Sequence, residues 1–331
     1  MYRLILVLLL TVVSAVFATV AQVAAPDARQ TAQLRVPATG PMAFVEGGWL
    51  AVATETGLQV FDVNEPDAPF DLATVALGGP PLAVGAANGM VLVAVAHDEA
   101  VDEIVVVAAD PYRRGIPAII NSLQISEAVH TLLTSAGVEW SVALGADGYH
   151  VLRLNQPTHV ESSALVRTPG VPVAGALAGD GLLVALGDED RIDRFPLRLG
   201  PGLPTASASL SVESGVSAMA ATVDGMVAVA ALENDTLVLF DPVTLEEIGR
   251  LLLEDGPVSA LHFAEYDARR LLILQIENRP AVMLLDVTEL DSALLPGSAA
   301  TGTGRSIRAS AASGALFALA TDDMIRLLTF E

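Results

Sequence analysis

The sequence predicts an all-β fold: a ring of seven four-stranded antiparallel blades, a seven-bladed β-propeller, whose last blade is closed by the amino-terminal strand. Three observations carry it. Beyond Gln30, short runs of Val, Leu, Ala and Ile alternate with Gly, Asp, Asn and Pro, and no long 3.6-residue periodicity appears. Hairpin dipeptides that suit positive φ recur between such runs. The units begin at Pro41, Pro81, Ala128, Val171, Val216, Pro257 and Arg305, at steps of 40, 47, 43, 45, 41 and 48 residues, the period of a propeller blade.

The elements follow in chain order. Met1, Tyr2 and Arg3 lead into an aliphatic run from Leu4 to Val13, and small residues follow. This reads as an export signal over residues 1–24. The alternative is an uncleaved anchor, because no charge occurs over the 22 residues from Leu4 to Ala25, enough for a helix of roughly 30 Å. Either way the body faces outward, in an extracytoplasmic, secreted or envelope location. Residues 25–30 read as a linker and 31–331 as one propeller domain.

Within the domain, first-to-second strand turns fall at Gly47-Gly48, Asn88-Gly89, Asp180-Gly181, Asp224-Gly225 and Ser313-Gly314, with Ala136-Gly137 and Asp267 to Arg270 filling the same place in two further units. Small-apolar strands follow, such as Trp49 to Ala53 and Met90 to Ala96. Third strands end in an acidic or Pro-containing turn, as in Thr236 to Phe240-Asp241-Pro242 and Ala281 to Leu285-Asp286. Fourth strands close the units, as in Phe70 to Leu77 and Ile248 to Leu253. The last unit stops at Glu331 after three strands, and Thr31 to Val36 has no other place. A closed ring removes exposed strand edges, which gives the two chain ends a reason to share a sheet.

At this point the residues resemble a family. Leu50 to Ala53 followed by Gly57-Leu58-Gln59-Val60-Phe61-Asp62-Val63-Asn64-Glu65-Pro66 is similar to the LVIVD repeat, and Thr236 to Leu253 is similar to the YVTN or WD40-like repeats of exported bacterial propellers. The blade from Leu182 to Val212 departs, with Phe195-Pro196-Leu197 where the Asp stands elsewhere. The resemblance implies a fold, an extracytoplasmic place and a binding role, with no catalytic signature belonging to the repeat.

Composition narrows the chemistry. The chain of 331 residues has 39 acidic side chains against 17 basic ones, all Arg, and a net charge of -22. Nucleic-acid binding is disfavoured, since phosphate backbones need clustered cations. With no Cys, disulfides, thiolate metal sites and thiol nucleophiles are excluded. The five His residues, His97, His130, His150, His159 and His262, show no i, i+4 zinc spacing. No nucleophile elbow and no phosphate loop occur. No catalytic residue and no cofactor is predicted.

Propeller topology collects the second-to-third strand loops on one face, and that face reads as acidic: Glu55, Asp98, Glu99, Asp102, Glu103, Asp147, Asp188, Glu189, Asp190, Glu233, Asp235, Glu277, Asp322 and Asp323, offset by Arg191 and Arg279. The opposite face receives Arg113, Arg114, Arg269 and Arg270, so a charge asymmetry is expected. Such a surface suits a protein or peptide partner with a basic surface, or serves solubility alone. A divalent cation such as calcium is a further option at Asp188-Glu189-Asp190, although no calcium-loop spacing is met. Membrane contact is expected only through an uncleaved amino terminus. The principal reading is a non-catalytic protein-binding or scaffolding module. The alternatives are an enzyme of lactonase or quinoprotein type, with a metal or redox cofactor in the central channel, and a ring packed in an envelope complex. First strands such as Leu82-Ala83-Val84 and Ala174-Gly175-Ala176 are small and apolar, which favours the first.

Overall fold

The computed structural model describes residues 28–36, 40–97, 102–108, 116–125, 128–134, 140–156, 159–197, 204–254, 256–288, 301–302 and 305–330. The expected signal or anchor lies outside these residues. Among them every regular element is a strand, apart from turns and bends.

The strands form seven sheets in sequence. After β1 (Ala28–Arg35), blade 1 comprises β2 (Met42–Val45), β3 (Trp49–Thr54), β4 (Gly57–Asp62) and β5 (Phe70–Val75). Blade 2 comprises β6 (Pro81–Ala87), β7 (Met90–Ala96), β8 (Asp102–Ala108) and β9 (Ala118–Ile125). In blade 3, β10 (Val129–Thr134), β11 (Trp140–Gly145) and β12 (Gly148–Gln156) are followed by an outer strand broken into β13 (His159–Ser162) and β14 (Val166–Arg167), both paired with β12. Blade 4 holds β15 (Pro172–Ala178), β16 (Gly181–Leu186), β17 (Arg191–Pro196) and β18 (Ala208–Ser211). Blade 5 holds β19 (Val216–Ala221), β20 (Ala228–Leu232), β21 (Thr236–Phe240) and β22 (Glu247–Leu252). Blade 6 holds β23 (Val258–Tyr266), β24 (Arg269–Ile276), β25 (Ala281–Asp286) and a two-residue outer strand, β26 (Thr301–Gly302). Blade 7 has β27 (Ala309–Ser313), β28 (Leu316–Ala320) and β29 (Met324–Phe330), and its fourth strand is β1.

The closing strand pairs antiparallel with β29, with Ala32 opposite Leu327 and Leu34 opposite Ile325. It begins at Ala28, inside the stretch expected as linker, so Ala28 to Gln30 belong to the sheet. The inner strands then touch in a closed circuit from β2 through β6, β10, β15, β19, β23 and β27 back to β2.

Burial explains the run pattern. A blade between two neighbours has both faces covered, so its middle strands read as unbroken apolar runs; β3, β16 and β20 are buried at every residue. Outer strands such as β5 and β22 face solvent and are mostly exposed or half-buried. Each seam between blades has its own apolar cluster, such as Ala51, Val60, Val93 and Val105 between blades 1 and 2, and Leu34, Val36, Phe61, Ile325 and Leu327 between blades 7 and 1. Near the axis the inner strands crowd. A Cβ on Gly85 would stand 2.6 Å from Thr134 Cγ2, and one on Gly175 would stand 2.8 Å from Leu133 Cδ1. Small residues in the first strands are therefore a packing requirement.

The turns differ from expectation by a residue or more in four blades, and in blade 1 Val45 pairs with Trp49, so the loop is Glu46-Gly47-Gly48. Asn88-Gly89 is the two-residue loop, with φ of 52° and 70°, and Asp267-Ala268 does the same with 47° and 61°. In blade 4, however, Ala178 pairs with Gly181, so the loop is Gly179-Asp180 and the positive φ of 57° belongs to Gly179. In blade 7 the loop is Gly314-Ala315. Asp224-Gly225 lies in a six-residue loop, 222–227, held by the Thr222 hydroxyl, which accepts the N–H groups of Met226 and Val227. Ala136-Gly137 lies outside the described residues.

Candidate functional site

Strand alternation places the second-to-third strand loops at one end of the ring, as expected, and sorts the predicted acids into three groups. Asp98 and Glu99 lie outside the described residues. A second group is engaged by the protein itself. Asp102 is the first residue of β8, only 5% exposed, and its Oδ2 accepts the Val129 N–H of the next blade at 2.6 Å. It is a seam residue, not part of an open surface. Glu103 accepts from His97 at 2.9 Å, and hydrogen bonds from Ser122 and His97 hold its carboxyl below the ordinary range. Asp188 Oδ1 accepts the Val171 N–H at 2.9 Å, and Glu189 pairs with Arg191. Asp322 and Asp323 pair with Arg308 and Arg305 at 2.7 and 2.6 Å. These two Arg come from the connection between blades 6 and 7, which ends on this same face, so the offset is larger than Arg191 and Arg279 alone.

In the third group Glu55, Asp190, Glu233 and Asp235 have no side-chain partner among the described residues, and Glu277 accepts from the neighbouring Asn278 at 3.2 Å; Asp147 is exposed but engaged. As for calcium, Asp188 and Glu189 are already engaged, and among the described residues no three His, Asp or Glu side chains are placed to hold a metal ion.

The opposite face carries the first-to-second and third-to-fourth strand turns. Arg113 and Arg114 lie outside the described residues, and Arg270 is tied to Asp224 at 2.5 Å. That face also presents Glu65, Asp67, Asp180, Glu246, Glu265 and Asp267. Among the described residues both faces are therefore acidic, and the expected asymmetry is not seen. Many of these carboxylates shape turns. Asp62 and Asp286 end a third strand and Asp241 directly follows one, and each accepts the N–H two residues on, at 2.9, 3.0 and 2.7 Å respectively. At Asp241 the bonds from Thr244 and Val243 hold the carboxyl below its usual range. This is the physical role of the recurring Asp in the repeat.

Two features were not read from the sequence. Five inner strands bulge at their second residue, leaving Leu82, His130, Val173, Ser217 and Ser259 outside the ladder at the acidic-loop end. Ser217 and Ser259 donate back to the carbonyls of Ala231 and Gln275, each at 3.2 Å. The second feature is the central channel. It holds a cavity of about 490 Å³ lined by residues of all seven inner strands, including Phe44, Ala86, Leu132, Ala176, Met219, His262 and Ala312. Its mouth is formed by Glu46, Val223, Arg270 and Gly314, hence at the end opposite the predicted acidic loops. Two carboxylates, Glu46 and Glu265, reach the lining there. Deeper in, His262 Nε2 lies 2.8 Å from Ser310 Oγ, and Ser310 lies 2.7 Å from Gln275 Oε1. Burial pushes the His262 imidazole down to about 4.

The architecture is similar to solved propellers. The β-propeller domain of Cps50 (Swd1) from Myceliophteria thermophila is 12% identical over 92% of this chain and 100% of that one, with a TM-score of 0.67. A chain of the Mitotic Checkpoint Complex is 12% identical over 92% of this chain and 96% of that one, also at 0.67. At this identity the likeness is one of fold. No family model matches the sequence and no curated protein is similar to it.

Proposed function

We propose that this chain is a non-catalytic protein-binding or scaffolding module that works outside the cytoplasm and takes a protein or peptide with a basic surface on the face of the second-to-third strand loops. The observation that carries the reading is the set of unpartnered carboxylates on that face, Glu55, Asp190, Glu233 and Asp235, spread over blades 1, 4 and 5. Charge at rim positions steers association and makes it salt-dependent. A propeller neighbour that comes from a multiprotein complex supports the same role, and the aliphatic run from Leu4 to Val13 supports export.

A deca-lysine peptide titrated into the protein at low and physiological salt tests the surface. Binding should weaken with salt and be lost when Glu55, Asp190, Glu233 and Asp235 are all replaced by Lys, yet persist when Glu65, Asp67 and Glu246 on the opposite face are replaced. Equal loss from either set would overturn the reading. Export is tested by fusing residues 1–40 to a phosphatase that is active only outside the cytoplasm, and an inactive fusion would refute it.

A further inference from the structure

The channel cavity of about 490 Å³ falls within the roughly 300–1,000 Å³ typical of small-molecule sites, which are apolar with a few placed polar groups. Its wall is aliphatic and aromatic, with Phe44, Leu132, Met219 and Phe263 contributing the largest side chains. Polar side chains also line it, Thr134, Thr222, Ser313 and His262, with Glu46, Glu265 and Arg270 toward the mouth, and the hydrogen-bonding state of His262 follows from its neighbours. Gln275 Nε2 donates to the Ile307 carbonyl at 3.4 Å, so Oε1 is the atom that accepts from the Ser310 hydroxyl at 2.7 Å. That commits the single Ser310 hydrogen. At 2.8 Å, His262 Nε2 must then be the donor to Ser310 Oγ, and a neutral imidazole with Nε2 protonated has Nδ1 as a bare acceptor. Among the described residues Nδ1 has no partner.

We propose that the channel binds a small neutral phenol or alcohol, its apolar body against Phe44, Leu132, Met219 and Phe263 and its hydroxyl donating to His262 Nδ1. A donor is required because the site offers an acceptor held in one tautomer. The charged groups at the mouth are of both signs, Glu46 and Glu265 with Arg270, and Arg270 is paired with Asp224, so no single charge is selected and a neutral guest fits. The low imidazole pKa, about 4, keeps the acceptor available at neutral pH. This site is independent of the loop face proposed above, and lies at the other end of the ring.

The probes are 4-propylphenol and its methyl ether, 4-propylanisole, which replaces the donor with a methyl group that by itself would favour the ether in an apolar site, titrated into the full chain by calorimetry with ligand-observed NMR. The phenol should bind at least about fivefold tighter than the ether, the value of one net hydrogen bond. His262→Phe should make the two equal. Ala220→Phe, which adds a bulky side chain to the lining, should abolish both while its circular dichroism stays native, and it keeps the test decisive if His262→Phe does not fold. In protein labelled with ¹⁵N at His, the phenol should move the Nδ1 resonance and leave Nε2 nearly unchanged. No phenol binding at millimolar concentration, equal affinity for phenol and ether in the native protein, or phenol binding that survives Ala220→Phe would each overturn the proposal.

Discussion

Replacing Leu34 by Ala tests the element on which the ring depends. Leu34 is 8% exposed, stands opposite Ile325 in the β1–β29 ladder and packs in the seam between blades 7 and 1 with Val36, Phe61 and Leu327. Removing its side-chain atoms leaves a cavity whose walls belong to two blades, so the site cannot collapse by shifting one strand. Large-to-small changes of this kind cost about 2–4 kcal/mol. Gln33, exposed on the other side of the same strand, serves as the control, and Gln33→Ala should stay within about 0.5 kcal/mol of native. Deleting residues 1–36 should exceed the point change, because it also frees the edge of β29 and uncovers Ile325 and Leu327, both fully buried. Urea unfolding monitored by circular dichroism gives the ranking. If Leu34→Ala were as mild as Gln33→Ala, or if the deletion left stability unchanged, β1 would not be closing the ring.

Three further outcomes are expected. Gly85→Ala should cost about 1–3 kcal/mol by overpacking, and Thr134→Ser, which removes the clashing Cγ2 while keeping the Oγ1 that accepts the Ala86 N–H, should recover part of it; additive losses in the double mutant would refute the contact. Asp102→Ala should cost about 1–3 kcal/mol by stranding the Val129 N–H and leave deca-lysine affinity unchanged, whereas a binding defect without a stability loss would return Asp102 to the surface. For His262, an unfolded pKa of about 6.5 against about 4 when folded means that the unfolded chain alone takes up a proton between these values. Stability contributed by the neutral ring is present above pH 6.5 and lost as pH falls toward 4, by up to about 3 kcal/mol. The native protein should lose that much more than His262→Phe over the same range, and parallel pH profiles would refute it.

The blades were legible because each level of the sequence agrees. Apolar runs such as Leu50 to Ala53 mark strands covered on both faces, and the Asp that ends or directly follows the third strand marks the turn it caps at Asp62, Asp241 and Asp286. The missing fourth strand of the last unit pointed to Thr31 to Val36, and the pairing of Leu34 with Ile325 places it there. What failed to read was register and direction. Gly179-Asp180 and Asp180-Gly181 are equally good turn dipeptides, and the ladder decides between them. The bulges at Leu82 and Val173 show only in the register of the ladders. Asp102 read as loop because it follows a polar stretch, yet its carboxylate caps the neighbouring blade, a contact across 27 residues.

Crowding of the inner strands bears on where function can reside. Inner strands that meet as closely as Gly85 and Thr134 favour small residues at that seam, while the channel lining admits polar side chains such as Thr134, Thr222, Glu265 and Ser313 beside its apolar ones. The seam of blades 6 and 7 passes one chain of donors from His262 through Ser310 and Gln275 to the Ile307 carbonyl. Such a chain has a beginning as well as an end. Its end is satisfied by backbone, and its beginning, Nδ1, has no partner among the described residues although His262 lines the channel, so a donor-bearing guest would satisfy an acceptor that burial leaves unmet.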